Sequence, residues 1–184
     1  MTASGEKRVP NRSTIARVFC RIGLLLSLLL LIAVADGQTV ARAYVGQDAK
    51  AHMIFANGAE EIVTPEPQQV GCLEPVIARD KRTVAWSVLV DNCCTSYPVA
   101  TAVVVHRNRR KVVLSTGQMI YGWQFVGDGK RIAVLSGPVH GSATGVYLYD
   151  SRSGKLVAMW QGKGKPPKWA ERWKAEFDGE RASL

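Results

Sequence analysis

The sequence predicts an all-β fold: two, or two and a half, four-stranded antiparallel units of propeller-blade size, packed as a compact sandwich or an incomplete propeller, with a short C-terminal helix. Three observations predict it. Past residue 44 the apolar runs are short, β-branched and separated by polar turns, which is how strands read. Several of those turns carry Asn-Gly or Asp-Gly, which suit the positive φ of tight hairpins. The chain also repeats itself, in units of about 45 residues with four strands each, the size of a propeller blade.

Ahead of the strands, Lys7, Arg8, Arg12, Arg17 and Arg21 stand against one acid, Glu6. An apolar run from Ile22 to Ala35 follows and closes on Ala33-Val34-Ala35. A basic start, an apolar core and a small-residue end are the parts of a secretory signal, and the run is shorter than the roughly 20 residues of a spanning helix. Residues 1–35 are therefore expected to be a signal peptide cut after Ala35, with Ala41-Arg42-Ala43 as a second candidate site. The alternative is an uncleaved N-terminal membrane anchor. The domain is then periplasmic or secreted, or held outside the cytoplasm at the inner membrane by residues 22–35.

The net charge of +9 belongs partly to that leader; beyond Ala35 there remain 19 Lys and Arg against 14 Asp and Glu, or +5. In sequence the excess is dispersed along turns and the tail. A nucleic-acid binder concentrates its bases on one face with interleaved aromatics, so no nucleic-acid partner is expected. The charge supports at most a weak attraction to acidic surfaces.

Residues 44–161 hold the strands, expected near His52–Ala56, Glu60–Thr64, Pro75–Arg79, Thr83–Asp91, Ala100–His106, Lys111–Ser115, Met119–Val126, Arg131–Ser136, Gly145–Asp150 and Lys155–Gln161. Hairpin turns fall at Asn57-Gly58, Asp80 to Arg82, Arg107 to Arg110, Gly127 to Lys130 and Ser151 to Gly154. Asp80, Val84 and Ala85 align with Asp128, Ile132 and Ala133, and Val103 to Val105 with Tyr147 to Tyr149; Met53 to Phe55 begins a partial earlier copy. Residues 162–184 form a basic linker and an amphipathic helix starting near Pro167. Trp169, Trp173 and Phe177 fall at i, i+4 and i+8 on one side of it, a face expected to dock on the β core. Trp86, Trp123 and Trp160 are expected to pack in the core rather than to stack sugars.

The phrases ARDKRTVAWS, FVGDGKRIAVLSG and GVYLYDSRSGKLVAMW resemble blades of the TolB-like β-propeller class over about residues 75–160. The resemblance implies blade-like units. A closed propeller needs about four to eight blades, and this chain has material for two or three. A CCTSYP…W-x-F…HG pattern is similar to that of uncharacterised bacterial exported proteins and implies no activity.

Cys20 precedes the apolar core and leaves with a cleaved signal. Cys72, Cys93 and Cys94 remain, and outside the cytoplasm thiols tend to pair. Hairpin geometry brings Cys72 toward residues 90–93, so Cys72–Cys93 or Cys72–Cys94 can close; three buried free thiols, or a strained bond between the adjacent Cys93 and Cys94, are the alternatives. Two irregular segments, Asn92–Pro98 and Gly137–Gly141, occupy equivalent slots in the two units. Thr95, Ser96, Tyr97 and His140 are thus candidate ligand-binding residues on one face, against the plainer reading of two self-satisfied turns. No catalytic residue is assigned. A small hydrolase using His140 with Ser96, Cys93 or Cys94 is the enzyme alternative, though no nucleophile signature accompanies it. His52, His106 and His140 are scattered without metal-ligand spacing, so no metal or cofactor is expected. The function expected is a non-catalytic binding or protein-interaction module of the cell envelope, with a protein partner or a small ligand; a structural assembly subunit is a further alternative.

Overall fold

The computed structural model describes residues 38–93 and 95–181. The leader 1–35, in both its readings, lies outside the described residues, as do Cys20 and Cys94. Among the described residues, eleven strands form three antiparallel sheets. The first holds β1 (Val40–Val45), β2 (Ala51–Phe55) and β3 (Glu60–Ile62). The second holds β4 (Gln69–Ile77), β5 (Thr83–Val90), β6 (Val99–Arg107) and β7 (Arg110–Leu114). The third holds β8 (Met119–Val126), β9 (Arg131–Gly137), β10 (Gly145–Asp150) and β11 (Leu156–Trp160). Each sheet is a meander whose strands pair in chain order. The structure is thus all-β with a short C-terminal helix, Lys174–Arg181.

Three boundaries differ from the sequence reading, one of them that of β4, which begins at Gln69 rather than near Pro75. Strand β1 begins at Val40, so the β region starts before residue 44. The Ala41-Arg42-Ala43 triplet is built into this strand, where Arg42 and Ala43 pair with Ile54 and Met53. Cleavage after Ala43 would remove all of the strand but Tyr44 and Val45. The C-terminal helix starts at Lys174, after a 3-10 turn at Glu171–Trp173, rather than near Pro167.

The sheets face one another in succession, and the burial follows. Between the first two lie Val40, Met53 and Phe55 against Val84, Trp86, Val88 and Val104. Between the second and third lie Ala85, Val103, Val105 and Leu114 against Ile120, Ile132, Val134 and Tyr149. The second sheet is therefore covered on both faces, which is why Thr83 to Val88 are buried without alternation. The expected docking of the tail is observed: Trp169, Trp173 and Phe177 pack on Ala133, Leu135, Val146, Leu148 and Trp160 of the third sheet's far face. Gly162, at φ +75°, lets Phe177 of that helix pack closely on the chain; a Cβ there would stand 2.4 Å from the Phe177 ring. Of the three tryptophans expected in the core, Trp86 and Trp160 are buried, whereas Trp123 is half-buried.

Polar contacts tie the first sheet to the second. Buried His106 meets Glu61 at 3.1 Å, and Lys111 Nζ donates to Thr64 O at 2.8 Å and sits 2.7 Å from Glu66. His106, near the end of β6, thus bridges two sheets. Burial holds its pKa below the usual histidine value, against the upward pull of Glu61.

The first sheet also carries a polar cluster. His52 Nε2 lies 2.9 Å from Asp48 Oδ1 and Nδ1 2.9 Å from Glu60 Oε1. Tyr44 stacks on the imidazole at 5.0 Å and donates to the same Glu60 oxygen at 2.7 Å. Two carboxylates accepting from one ring favour the imidazolium, so hydrogen bonds from Asp48 and then Glu60 raise the His52 pKa. A raised folded pKa gives stabilisation that is complete below the unfolded value, about 6.5, and is lost as pH rises through the folded value. Chemical denaturation should therefore show a wild-type advantage over His52→Gln that is larger near pH 5.5 than near pH 8.5. A constant difference would mean that the ring is held neutral.

Candidate functional site

Strands β4 and β8 are edge strands of their sheets, and they border a groove of about 830 Å³. Leu73, Glu74 and Val76 line it from β4, and Tyr121 and Trp123 from β8. Arg172, Trp173 and Glu176 of the C-terminal segment wall it. Its size falls within the range of small-molecule sites.

Both bordering strands are irregular at the groove. The pairing of β4 with β5 shifts between Leu73 and Val76, and that of β8 with β9 between Ile120 and Gly122. Bulges of this kind re-aim side chains and interrupt pairing. In β4 the bulge holds Glu74, at φ +43°, and Pro75, which lacks an N–H. In β8 it holds Tyr121. The edges are thereby blunted against pairing with another sheet, while the glutamate and the tyrosine line the opening.

The remaining walls are fixed by hydrogen bonds. Trp123 Nε1 donates to Ser87 Oγ at 3.0 Å, joining the third sheet to the second. Gln124 Nε2 donates to Trp169 O at 3.1 Å, and Arg172 Nη1 donates to Gln124 Oε1 at 3.2 Å. The Arg172 guanidinium also lies 5.1 Å over the Trp173 ring. One glutamine thus fastens the segment that walls the groove.

Tyr121 pins one of the two irregular loops named from the sequence, Gly137–Gly141. Its hydroxyl shares one proton between Pro138 O, at 2.6 Å, and Gly141 O, at 2.9 Å. Burial, with the neighbouring Tyr97 phenol adding, raises its pKa. Gly137 allows the loop to fold back this closely, since a Cβ there would meet Ser142 O at 2.5 Å and the Tyr121 ring at 3.0 Å. Gly141, Ser142 and Ala143 of this loop form part of the groove lining.

The sequence candidates are placed unequally. Tyr97 is exposed beside Tyr121, and His140 is exposed on the loop that Tyr121 pins. Ser96 is exposed within a shallow depression of about 190 Å³ formed by Asp91, Asn92 and residues 95–98. Thr95 spends its hydroxyl on its own turn, donating to Tyr97 O at 2.6 Å. Tyr121, Trp123, Glu74 and Arg172 were not among the candidates. The W-x-F phrase marked one of them, and the bulges that present the others depend on a strand partner.

Among the described residues no cysteine pair lies at disulfide distance. Cys72 is a buried free thiol that donates to Ala49 O at 3.5 Å, and Cys93 is exposed. Burial, with Asp48 adding, pushes the Cys72 thiol up to about 11, so it is not a ready nucleophile. Among the described residues no three His, Cys, Asp or Glu side chains gather as a metal-ligand set, and no helix is long and apolar enough to cross a membrane. Comparison with known protein families finds no match to this sequence, and comparison with curated proteins finds none either.

Proposed function

We propose that this chain is an exported binding module of the cell envelope, sent across a membrane by residues 1–35, which takes a segment of a protein partner in the groove between β4 and β8. In this reading the four-stranded meanders are TolB-like blades of an incomplete propeller, and the C-terminal helix covers the face where a further blade would pack. The observation that carries it is the pair of bulged edge strands, with Glu74 and Tyr121 lining one groove that the C-terminal segment closes. Charges of both signs, Glu74, Glu176 and Arg172, stand beside aromatic surface there, which suits a polypeptide segment better than a purely apolar ligand.

A photo-crosslinking residue placed at Tyr121 or Tyr97 in the full chain, in its own cells, tests the reading. Discrete adducts to one protein are expected from both positions, and none from Val113, exposed on the outer strand β7. Equal adducts from Val113, or none anywhere, would defeat it. A small molecule co-purifying with the protein in native mass spectra, without protein adducts, would transfer the groove to a small ligand.

A further inference from the structure

The bases that look dispersed in sequence converge in the fold. Successive antiparallel strands alternate direction, so the tight turns β4–β5, β6–β7, β8–β9 and β10–β11 all emerge at one end, which carries more than half of the Lys and Arg beyond Ala35. The turns touch. Ser151 N donates to Lys130 O at 3.0 Å and Ser151 Oγ to Gly129 O at 2.6 Å, and Arg79 lies 3.7 Å from Asp128 across the two sheets. The acids present are engaged: Asp80 accepts from its own turn and pairs with Arg107 at 3.3 Å, and Asp150 accepts from Arg152 N and Ser153. Lys81, Arg109, Arg110, Lys130, Arg131 and Arg152 remain exposed around them. A depression of about 500 Å³ brings Arg107 and Arg110 of the second sheet together with Arg152 of the third.

The polypeptide enters the domain at this same end, for Val40 N donates to Lys81 O at 2.7 Å. The apolar run Ile22–Ala35 ends five Cα steps earlier, and five steps reach at most about 18 Å. A tether of that length brings the basic turns within reach of a bilayer that the run enters. The turn tips carry no aromatic side chain to stack a base, and several tips at one level suit a planar surface. We propose that this end docks on the anionic phospholipid surface of a membrane, the Arg107–Arg110–Arg152 depression receiving headgroup phosphates. It rests on the anchor alternative, in which the run Ile22–Ala35 stays attached to the domain, and is independent of the groove.

The test uses the full chain reconstituted into vesicles of phosphatidylcholine alone or with phosphatidylglycerol, and a water-soluble acetylating reagent read by mass spectrometry. Labelling of Lys81, Lys130 and Lys155 should be at least threefold slower in the anionic vesicles, while Lys163 and Lys168, past the opposite end of β11, label equally in both. High salt, which screens such attraction, should abolish the difference. So should Arg109→Glu/Arg110→Glu/Arg152→Glu, with labelling in neutral vesicles unchanged as a check on folding. Equal labelling in both vesicles, or slowing at both ends alike, overturns the proposal. Protection by duplex DNA or by inorganic phosphate, without protection by anionic vesicles, also overturns it, and assigns the surface to nucleic acid or to ion binding.

Discussion

Trp173→Ala is expected to destabilise the domain by about 3–5 kcal/mol, the range for removing a large buried aromatic side chain. Trp173 is 5% exposed and stands among Leu135, Leu148 and Phe177 on the far face of the third sheet. No fourth sheet covers that face among the described residues, so the C-terminal segment is what keeps Ala133, Leu135, Val146 and Leu148 from water. Its loss leaves a contiguous apolar surface of the kind that drives association. A domain of this size is stable by only about 5–15 kcal/mol, so the variant should unfold at clearly lower urea and show concentration-dependent oligomers. Trp169→Ala, at a half-buried position just before the 3-10 turn, should cost distinctly less. Should Trp173→Ala melt within about 1 kcal/mol of wild type, the helix would not be part of the core. Because the same residue walls the groove, the variant should also weaken partner crosslinking from Tyr121.

The aromatic spacing that marks this segment was legible in the sequence, although Trp169 precedes the regular helix: the turn Pro167–Ala170 and the 3-10 turn keep the three rings on one side. The hairpins were equally legible, because each pairs neighbours in the chain and needs only local turn chemistry. Strand β1 was not. It is a short edge strand whose Ala-Arg-Ala centre has no strand signature, and its pairing with β2 supplies the structure that composition does not. The groove was half legible. The loops bearing Tyr97 and His140 could be assigned to one face from the repeat, but Glu74 and Tyr121 owe their placement to bulges, and a bulge exists only relative to a partner's register. Arg172 reaches Gln124 across 48 residues of sequence, a distance no local pattern encodes. The basic end escaped for a related reason. Bases spaced along the chain look dispersed until every second connection is seen to lie at the same end.

The repeat that was legible conceals one divergence, and it sets the second large effect. Asp80 and Asp128 occupy matching turns, yet only Asp80 is built in. Its Oδ1 accepts from Arg82 N at 2.9 Å and Thr83 N at 2.8 Å, its Oδ2 accepts from Thr83 Oγ1 at 2.7 Å, and Arg107 lies at 3.3 Å. Thr83 is fully buried, so Asp80→Ala leaves its hydroxyl without this acceptor as well as the turn without its cap. Hydrogen bonds to a carboxylate are the stronger kind, and a cost of about 2–4 kcal/mol is expected. Asp128 is exposed and pairs with the exposed Arg79 at 3.7 Å, and Asp128→Ala should fall within about 0.5 kcal/mol of wild type. The pH dependence separates them too. Burial would raise the Asp80 pKa, but the backbone and side-chain donors of Arg82 and Thr83, with Arg107, hold it below the usual carboxylate value. A depressed folded pKa gives stabilisation that is present above the unfolded value, about 3.9, and is lost as pH falls through the folded one. Urea denaturation at neutral pH and again in acid should therefore find the Asp80→Ala penalty shrinking on acidification; equal penalties for the two aspartates at neutral pH would mean that the turns are interchangeable after all.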